Sequence, residues 1–148
     1  MPSATVRPLA PADLSEALDL WVAAWQAAYP AIDFSARRGW IAERIAGAHA
    51  AVAVLDGRIA GLLVIDPRSG DLDQLVVATA CQGRGVAAAL IAEARRLAPA
   101  GLDLTVNQDN ARAIRFYEKH GFVRTGAAVN PNSGAPTFRM SWRPGRRL

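Results

Sequence analysis

The sequence is poor in cysteine and histidine and has no long apolar run. Its single cysteine, Cys81, excludes an internal disulfide bond and favours a reducing compartment. No apolar run reaches the roughly 20 residues that span a bilayer, and the N-terminus lacks a basic segment followed by an apolar core. His49, His120 and Cys81 do not have the spacing of metal ligands. These absences predict a cytoplasmic protein without a membrane segment, a secretory signal or a bound metal.

Composition and charge are those of a folded domain rather than a disordered or nucleic-acid-binding chain. Of the 148 residues, 51% are apolar and 20% are charged, so we expect residues 1–148 to form a single domain. The net charge is 17 − 13 = +4. The basic residues are scattered apart from a group within residues 143–147, and no basic helix is interleaved with aromatic residues. We therefore expect no nucleic-acid partner, whereas a polyanionic ligand would suit the charge.

Apolar periodicity and turn residues predict the element order β-α-α-β-β-β-α-β-α-β-β. The predicted strands cover residues 6–7, 50–55, 58–65, 71–77, 102–106, 123–126 and 137–142. The first helix begins near Pro11 and fades near residues 29–30, and the second begins with Ser35 as its N-cap. Between the second and third strands, Asp56-Gly57 predicts a tight hairpin.

Two further helices follow the fourth and fifth strands. The first of them covers residues 87–97 and ends before Pro99. The other is capped by Asn110 and ends at Gly121. This order predicts an α/β fold, with a mixed, largely antiparallel sheet flanked by helices.

The loop before the third helix has the composition of an anion-binding turn. It reads Gln82-Gly83-Arg84-Gly85-Val86-Ala87 and joins an apolar strand to an alanine-rich helix. Glycines let the backbone approach a ligand closely, and the first N–H groups of the helix direct the positive end of its dipole at that ligand. The loop can therefore hold phosphates without a metal. A lone glycine-rich turn is usually only a turn, so this prediction depends on a second segment.

The second segment, residues 106–122, completes a pair of motifs. The loop matches Gln/Arg-x-x-Gly-x-Gly/Ala at Gln82, Gly85 and Ala87. The later segment matches Asn-x-x-Asn-x-x-Ala-x-x-Phe-Tyr-x-x-x-Gly-Phe at Asn107, Asn110, Ala113, Phe116, Tyr117, Gly121 and Phe122. Together they resemble the coenzyme-A-binding signature of the GNAT superfamily of acyl-CoA-dependent N-acetyltransferases. The resemblance is close over residues 72–122 and rests on element order elsewhere. Thr79 departs from it, because the family often has proline there, but the glycine loop is intact.

The resemblance implies the GNAT fold and acetyl-CoA as cosubstrate, without a metal. In this family the fourth strand bends away from the fifth, and the pantetheine arm lies in the resulting cleft. The backbone groups implied to pair with pantetheine are those of Leu75, Val76 and Val77. The N–H groups implied to hold the pyrophosphate are those of Gln82, Gly83, Arg84, Gly85, Val86 and Ala87, with added charge from Arg84. Asn107 and Asn110 complete the implied coenzyme A site.

Acetyl transfer to an amine needs a neutral amine, a stabilised oxyanion and a protonated leaving thiol. An alkyl amine has a pKa of roughly 10, so a base or a water chain must remove a proton near neutral pH. Asp71 and Asp73 alternate with Leu72 and Gln74 and are predicted to face one side of the strand. Each is a candidate base or, alternatively, a solvated carboxylate at the strand edge. The N–H of Val77 is the candidate oxyanion donor.

Tyr117 is the candidate general acid. It lies seven residues after Asn110, nearly two helical turns, so both side chains can face the same cleft. The resemblance places Tyr117 near the sulfur, and the alternative is a core aromatic with its hydroxyl at the surface. Cys81 beside the glycine loop is better explained as a small buried residue than as a nucleophile, since neither histidine is placed to activate it.

The acceptor side carries the weakest signal. Trp25, Tyr29 and Phe34 lie near the junction of the first two helices, where the family shapes its acceptor pocket. Aromatic rings there could enclose an amine-bearing stem, although helical spacing also fits Trp25 as a core residue. The loop over residues 130–136 is a candidate cover for this pocket. The acceptor itself is left open among small amines, amino acids, antibiotics and protein termini.

The favoured function is direct transfer of acetyl from acetyl-CoA to a primary amine in a ternary complex. The alternative is an acyl-CoA-binding or regulatory module of the same fold without turnover. A dinucleotide-binding domain is disfavoured, because its glycine motif would follow the first strand and the loop here follows the fourth. The partners expected are acetyl-CoA and an amine-bearing small molecule or peptide, and a homodimer is left open.

Overall fold

Seven strands form one sheet in the computed structural model, which describes residues 3–131 and 133–145. The elements are β1 Thr5–Pro8, α1 Leu14–Ala28, α2 Arg38–Ala46, β2 His49–Leu55, β3 Arg58–Asp66, β4 Asp71–Val77, α3 Val86–Leu97, β5 Leu102–Asn107, α4 Ala111–Lys119, β6 Val123–Val129 and β7 Pro136–Trp142. The sheet order is β1-β2-β3-β4-β5-β7-β6, and only β4 and β5 pair in parallel. The predicted element order and the largely antiparallel sheet are confirmed.

Local sequence signals account for most element ends. Asp56 and Gly57 have φ angles of 54° and 77°, the left-handed pair that a two-residue hairpin requires. Asn110 caps α4 by accepting a hydrogen bond from the N–H of Ala113. The prediction that Ser35 caps the second helix is wrong. The carboxylate of Asp33 accepts the Ser35 N–H at 3.1 Å and starts a 3₁₀ turn, Phe34–Arg37, that precedes α2.

The sheet is covered on both faces, and its inner strand β3 is buried on each of them. Leu62 of β3 packs with Trp21 beneath α1 and α2, whereas Leu63 packs with Leu90 beneath α3 and α4. Both leucines have no exposed surface. A strand buried on both faces is apolar along its whole length, which explains the continuous apolar sequence of β3. Within the described ranges, no helix is long and apolar enough to span a membrane.

The parallel strands β4 and β5 touch only at one end. Asp71 pairs with Asp103 there, and the Asp103 N–H donates to the carbonyl of Gly70 at 2.9 Å. Gly70 has a φ of +78°, and a Cβ added to it would collide with the carbonyl oxygen of Gly101. Beyond this contact, which we call the apex, the strands diverge. The divergence leaves the middle of the sheet open as a wedge-shaped cleft.

Candidate active site

The cleft between β4 and β5 has a volume of about 750 Å³ and is closed on one side by the α1–α2 layer. Several predicted site residues line it: Trp25, Tyr29, Phe34, Asp73, Leu75, Asn107, Asn110 and Tyr117. Predicted residues outside the lining are Asp71, Val76, Val77 and the loop residues Gln82, Gly83, Arg84, Gly85, Val86 and Ala87. The cleft therefore brings together Asn107 of β5, Asn110 and Tyr117 of the α4 region, part of β4 and the aromatic residues of the α1–α2 layer.

The backbone of β4 presents alternate peptide groups to the cleft. The Ala78 N–H donates to the Ala60 carbonyl at 2.8 Å, so in the antiparallel ladder the peptide groups of Val76 also face β3. Those of Leu75 and Val77 point the other way, toward β5, from which β4 has separated. Leu75 and Val77 thus have the orientation that the pantetheine prediction requires. Val76 does not, because its N–H and C=O are directed at β3.

The backbone of β5 also presents alternate peptide groups to the cleft, from the side opposite β4. The Gln108 N–H donates to the Pro136 carbonyl at 3.0 Å, so even-numbered residues of β5 bond to β7 and odd-numbered ones face β4. The peptide groups of Thr105 and Asn107 are therefore directed into the cleft. Thr105 was missed by the sequence analysis, since a backbone role leaves no signature in residue type.

The glycine loop lies where β4 ends, at the wide end of the cleft. Gly83 and Gly85 have φ angles of +82° and +80°, and no heavy atom lies within 4 Å of a Cβ built on either. Gly85 is the residue before α3, whose first N–H groups have no acceptor within the helix. Arg84 lies 3.4 Å from Asp56 of the β2–β3 hairpin. The loop has the open backbone that a phosphate site needs.

Tyr117 extends from α4 into the cleft with its ring packed in the core. Its side chain is 8% exposed and contacts Phe116 and Phe122 at ring-centroid distances of 5.4 Å. Burial raises the pKa of the phenol above its ordinary value, which keeps the hydroxyl protonated. Within the part of the chain that the structure describes, no side chain or backbone group hydrogen-bonds this hydroxyl. Tyr117 thus has a ring that packs in the core and a protonated hydroxyl that donates to no other described group.

The two aspartates of β4 have different surroundings. Asp73 has no partner on β3, because the register slips there, so Asp73 and Gln74 both reach the α1–α2 side. Arg44 contacts the Asp73 carboxylate at 2.6 Å, and Gln74 Nε2 donates to it at 3.3 Å. Asp71 lies at the apex, where partial burial and the charge of Asp73 raise the pKa of its carboxyl. Simple strand alternation therefore fails at Gln74.

The α1–α2 layer contributes a wall of five aromatic rings, which we call the aromatic wall: Trp21, Trp25, Tyr29, Phe34 and Trp40. Trp25 stacks on Tyr29 at 5.7 Å and contacts Phe34 at the same distance. Trp21 is a core residue, 2% exposed, whose indole N–H donates to Gln74 Oε1 at 2.9 Å. Trp40 was not identified from the sequence as a cleft residue. The guanidinium of Arg37, also missed, lies 5.0 Å from the centre of the Phe34 ring.

The Tyr29 hydroxyl joins the aromatic wall to the end of β5. It donates to Asp109 Oδ1 at 2.8 Å and accepts from Asn107 Nδ2 at 3.2 Å. Partial burial raises the pKa of this phenol, so it remains a donor. Asp109 lies inside the matched motif of residues 107–122, but that motif assigns no role to it. Its position between the motif residues Asn107 and Asn110 is the sequence feature that could have identified Asp109 as a site residue.

Other predicted features have simpler outcomes. Cys81 is partly buried and packs against the α3–α4 core. Asn130, Ser133 and Ala135 line the cleft. Asn132 of the same loop and residues 146–147 of the C-terminal basic group lie outside the described residues. Among residues 3–131 and 133–145, no group of three or more His, Cys, Asp or Glu side chains could hold a metal ion.

The chain is similar to known acetyltransferases in both sequence and fold. The family model for the acetyltransferase (GNAT) domain matches residues 31–144. The peptidyl-lysine N-acetyltransferase YjaB of Salmonella typhimurium is 37% identical over 65 residues, which are 44% of this chain and 44% of that protein. The chain thus aligns with less than half of that relative.

Solved structures share the whole fold. A GCN5-related N-acetyltransferase from Rhodopseudomonas palustris superposes with a TM-score of 0.82 at 24% identity, over 97% of both chains. The PaiA N-acetyltransferase from Thermoplasma acidophilum, solved in complex with coenzyme A, superposes with a TM-score of 0.75 at 18% identity, over 95% of this chain and 99% of that one. These likenesses establish the fold, and the match over residues 31–144 shows that the chain belongs to the GNAT acetyltransferase family.

Proposed function

We propose that this protein transfers an acetyl group from acetyl-CoA directly to a primary amine, with both substrates bound in one complex. The observation that carries the proposal is the gap in the sheet between β4 and β5. Leu75 and Val77 on one side, and Thr105 and Asn107 on the other, direct peptide groups into it. An extended ligand with its own amides, such as the pantetheine arm, would satisfy these groups as a missing strand would.

The glycine loop at the wide end of the cleft fits the pyrophosphate of coenzyme A. Gly83 and Gly85 leave open space beside the backbone, and the α3 N-terminus offers unpaired N–H groups to an anion. A pyrophosphate would be held there by Gln82 to Ala87, with charge from Arg84. Asn107 and Asn110 are proposed to contact the pantetheine portion where it turns toward this loop. The PaiA N-acetyltransferase of the same fold was solved in complex with coenzyme A, which supports coenzyme A as the ligand proposed here.

The chemistry would take place where β4 faces α4. The amine nitrogen attacks the thioester carbonyl carbon, and the C–S bond breaks as the amide forms. The Val77 N–H is proposed to stabilise the oxyanion of the tetrahedral intermediate. Tyr117 is proposed to donate its proton to the departing sulfur, because its hydroxyl has no other described acceptor and burial keeps the phenol protonated.

A base must also take a proton from the amine. Asp73 lines the cleft, but Arg44 and Gln74 already occupy its oxygens. Asp71 is better able to accept a proton because its pKa is raised, but it lies at the apex outside the cleft lining. We therefore propose that a water chain carries the proton to Asp71 or Asp73. Replacement of each by asparagine would identify the one that matters.

The acceptor class is tested by measuring thiol release from acetyl-CoA with a panel of amines. The panel includes lysine peptides, because the Salmonella relative is a peptidyl-lysine N-acetyltransferase. Isothermal calorimetry with coenzyme A, without added metal, measures cofactor binding separately. Binding together with amine-dependent thiol release supports the enzyme. Binding without release for any amine supports a regulatory acyl-CoA-binding module, and absence of binding near 1 mM refutes both readings.

A further inference from the structure

We propose that the amine acceptor also carries a carboxylate and that Arg37 recognises it. This inference rests on the proposed acetyl transfer, since it names the class of acceptor for the same cleft. It begins with the charges along the cleft wall. Among the described lining residues, Arg37 is the one cation, and Asp73 and Asp109 are the anions. The other residues that line the cleft are aromatic, aliphatic or neutral polar.

Arg37 differs from the neighbouring arginines in having no acidic partner. Arg38 lies 2.5 Å from Asp19, and Arg44 lies 2.6 Å from Asp73. In the described part of the chain, Arg37 makes neither an ion pair nor a hydrogen bond, and its one specific contact is the Phe34 ring. Its side chain is only half-exposed. A guanidinium in that position keeps five N–H donors available.

The surroundings of Arg37 favour a carboxylate over a neutral group. Phe34 beneath the guanidinium is 3% exposed, and the adjacent rings of the aromatic wall further reduce contact with water. In such a partly apolar site a charge-assisted, two-pronged hydrogen bond to a carboxylate is stronger than in bulk water. The planar fork of the guanidinium matches the two oxygens of that group.

The two acidic residues of the cleft differ in whether a cation already neutralises them. Asp73 is neutralised by Arg44, whereas Asp109 is hydrogen-bonded by the Tyr29 hydroxyl and has no cationic partner among the described residues. The rings of Tyr29 and Phe34 are 6.4 Å apart. Asp109 therefore flanks one ring of this pair and Arg37 the other. Separated charges of opposite sign across an apolar surface are complementary to an amino carboxylate with an apolar body.

The test compares acceptors that differ only in the carboxylate. The pairs are L-phenylalanine with 2-phenylethylamine, and 6-aminohexanoate with pentylamine. The two amino carboxylates separate their charges by different lengths. We expect kcat/KM for at least one amino carboxylate to exceed that of its matched amine by about tenfold or more. In Arg37→Gln this preference should disappear, mainly through a higher KM for the amino carboxylate, while kcat/KM for the matched amine without a carboxylate is unaffected. Arg37→Lys should restore part of it, because the charge returns without the fork.

The neighbouring variant Arg38→Gln is the matched control, since Arg38 is paired with Asp19 and is absent from the cleft lining. Its acceptor preference should equal that of the unmodified protein. Binding of the four compounds to the complex with coenzyme A, measured by calorimetry, does not depend on turnover. Arg37-dependent binding of an amino carboxylate without any thiol release would support this inference and refute the proposed transfer. Equal use or binding of both members of each pair, or an unchanged preference in Arg37→Gln, would overturn the inference.

Discussion

The Tyr29 hydroxyl lies 2.8 Å from Asp109 Oδ1 and so joins the end of α1 to the segment that follows β5. The two residues are 80 positions apart in the sequence. The same hydroxyl accepts a hydrogen bond from Asn107, so three side chains close one wall of the cleft. This network joins the aromatic wall to the end of β5, so it would couple the proposed acceptor site to the proposed coenzyme site.

Replacing Tyr29 by phenylalanine should weaken this coupling without disturbing the rings. The ring can still stack on Trp25, but Asp109 and Asn107 each lose a partner. We expect the free energy of unfolding to fall by about 1 kcal/mol, the usual contribution of such a bond, and KM for the amine to rise. A double-mutant cycle with Asp109→Ala measures the interaction. Strictly additive losses would show that the pair makes no contribution.

The apex of the cleft should be the point most sensitive to a single methyl group. At Gly70 a Cβ would strike the Gly101 carbonyl, and the left-handed φ of +78° adds backbone strain. Gly70→Ala should therefore lower the free energy of unfolding by about 2–4 kcal/mol. Gly57→Ala is the matched control, because its φ is +77° with nothing within 4 Å of the added Cβ. In urea unfolding, Gly57→Ala should lower the free energy of unfolding by about 1 kcal/mol. Equal losses for the two variants would show that the close approach of Gly70 to the Gly101 carbonyl adds no cost beyond backbone strain.

Much of the fold could be predicted because its signals are local. Asp56-Gly57 defines a hairpin, and Asn110 caps α4 through a bond to a residue three positions later. The error at Ser35 has the same local origin. Asp33 and Ser35 are both good capping residues, and only the structure shows that Asp33 accepts the N–H. Strand β6 also continues to Val129, past the predicted end at residue 126, because pairing with β7 extends it.

The site was less predictable where it depends on register or on distant partners. The slip at Asp73 turns Gln74 to the same side, and a period of two cannot reveal it. Which peptide groups of β4 face the cleft depends on pairing with β3, so Val76 could not be separated from Leu75 and Val77. Arg44 reaches Asp73 across 29 positions, which no motif records.

Adding a side chain at Gly85 should strongly weaken coenzyme A binding. A valine side chain there would occupy the free space beside the loop where we place the pyrophosphate. The left-handed φ of +80° also strains any substituted residue, so the control must carry the same strain. Gly145→Val supplies this strain, because Gly145 has a φ of +77° and no heavy atom of the described residues lies within 4 Å of a Cβ built on it. Gly145 does not line the cleft. Calorimetry should show at least about tenfold weaker binding for Gly85→Val alone. Normal affinity in a folded Gly85→Val protein would remove the phosphate role from this loop.

Removing only the hydroxyl of Tyr117 should separate catalysis from packing. Tyr117→Phe keeps the ring that contacts Phe116 and Phe122, so the melting temperature should change little. If the hydroxyl protonates the leaving thiolate, kcat should fall by about a hundredfold or more. Acetyl-CoA affinity should be nearly unchanged, because the lost interaction belongs to the transition state.

The pH dependence of this variant distinguishes an acid from a packing residue. Burial raises the pKa of Tyr117, so its proton is present at every pH below the ordinary value of about 10, and the unmodified enzyme should lose no activity in that range through Tyr117 ionisation. In Tyr117→Phe solvent must protonate the thiolate, which it does more readily in acid, so the defect should shrink as pH falls. Steady-state kcat measured from pH 6 to 9 for both proteins tests this. Turnover within a factor of about two of the unmodified protein at every pH, with binding retained, would make Tyr117 a packing residue and favour the non-catalytic alternative.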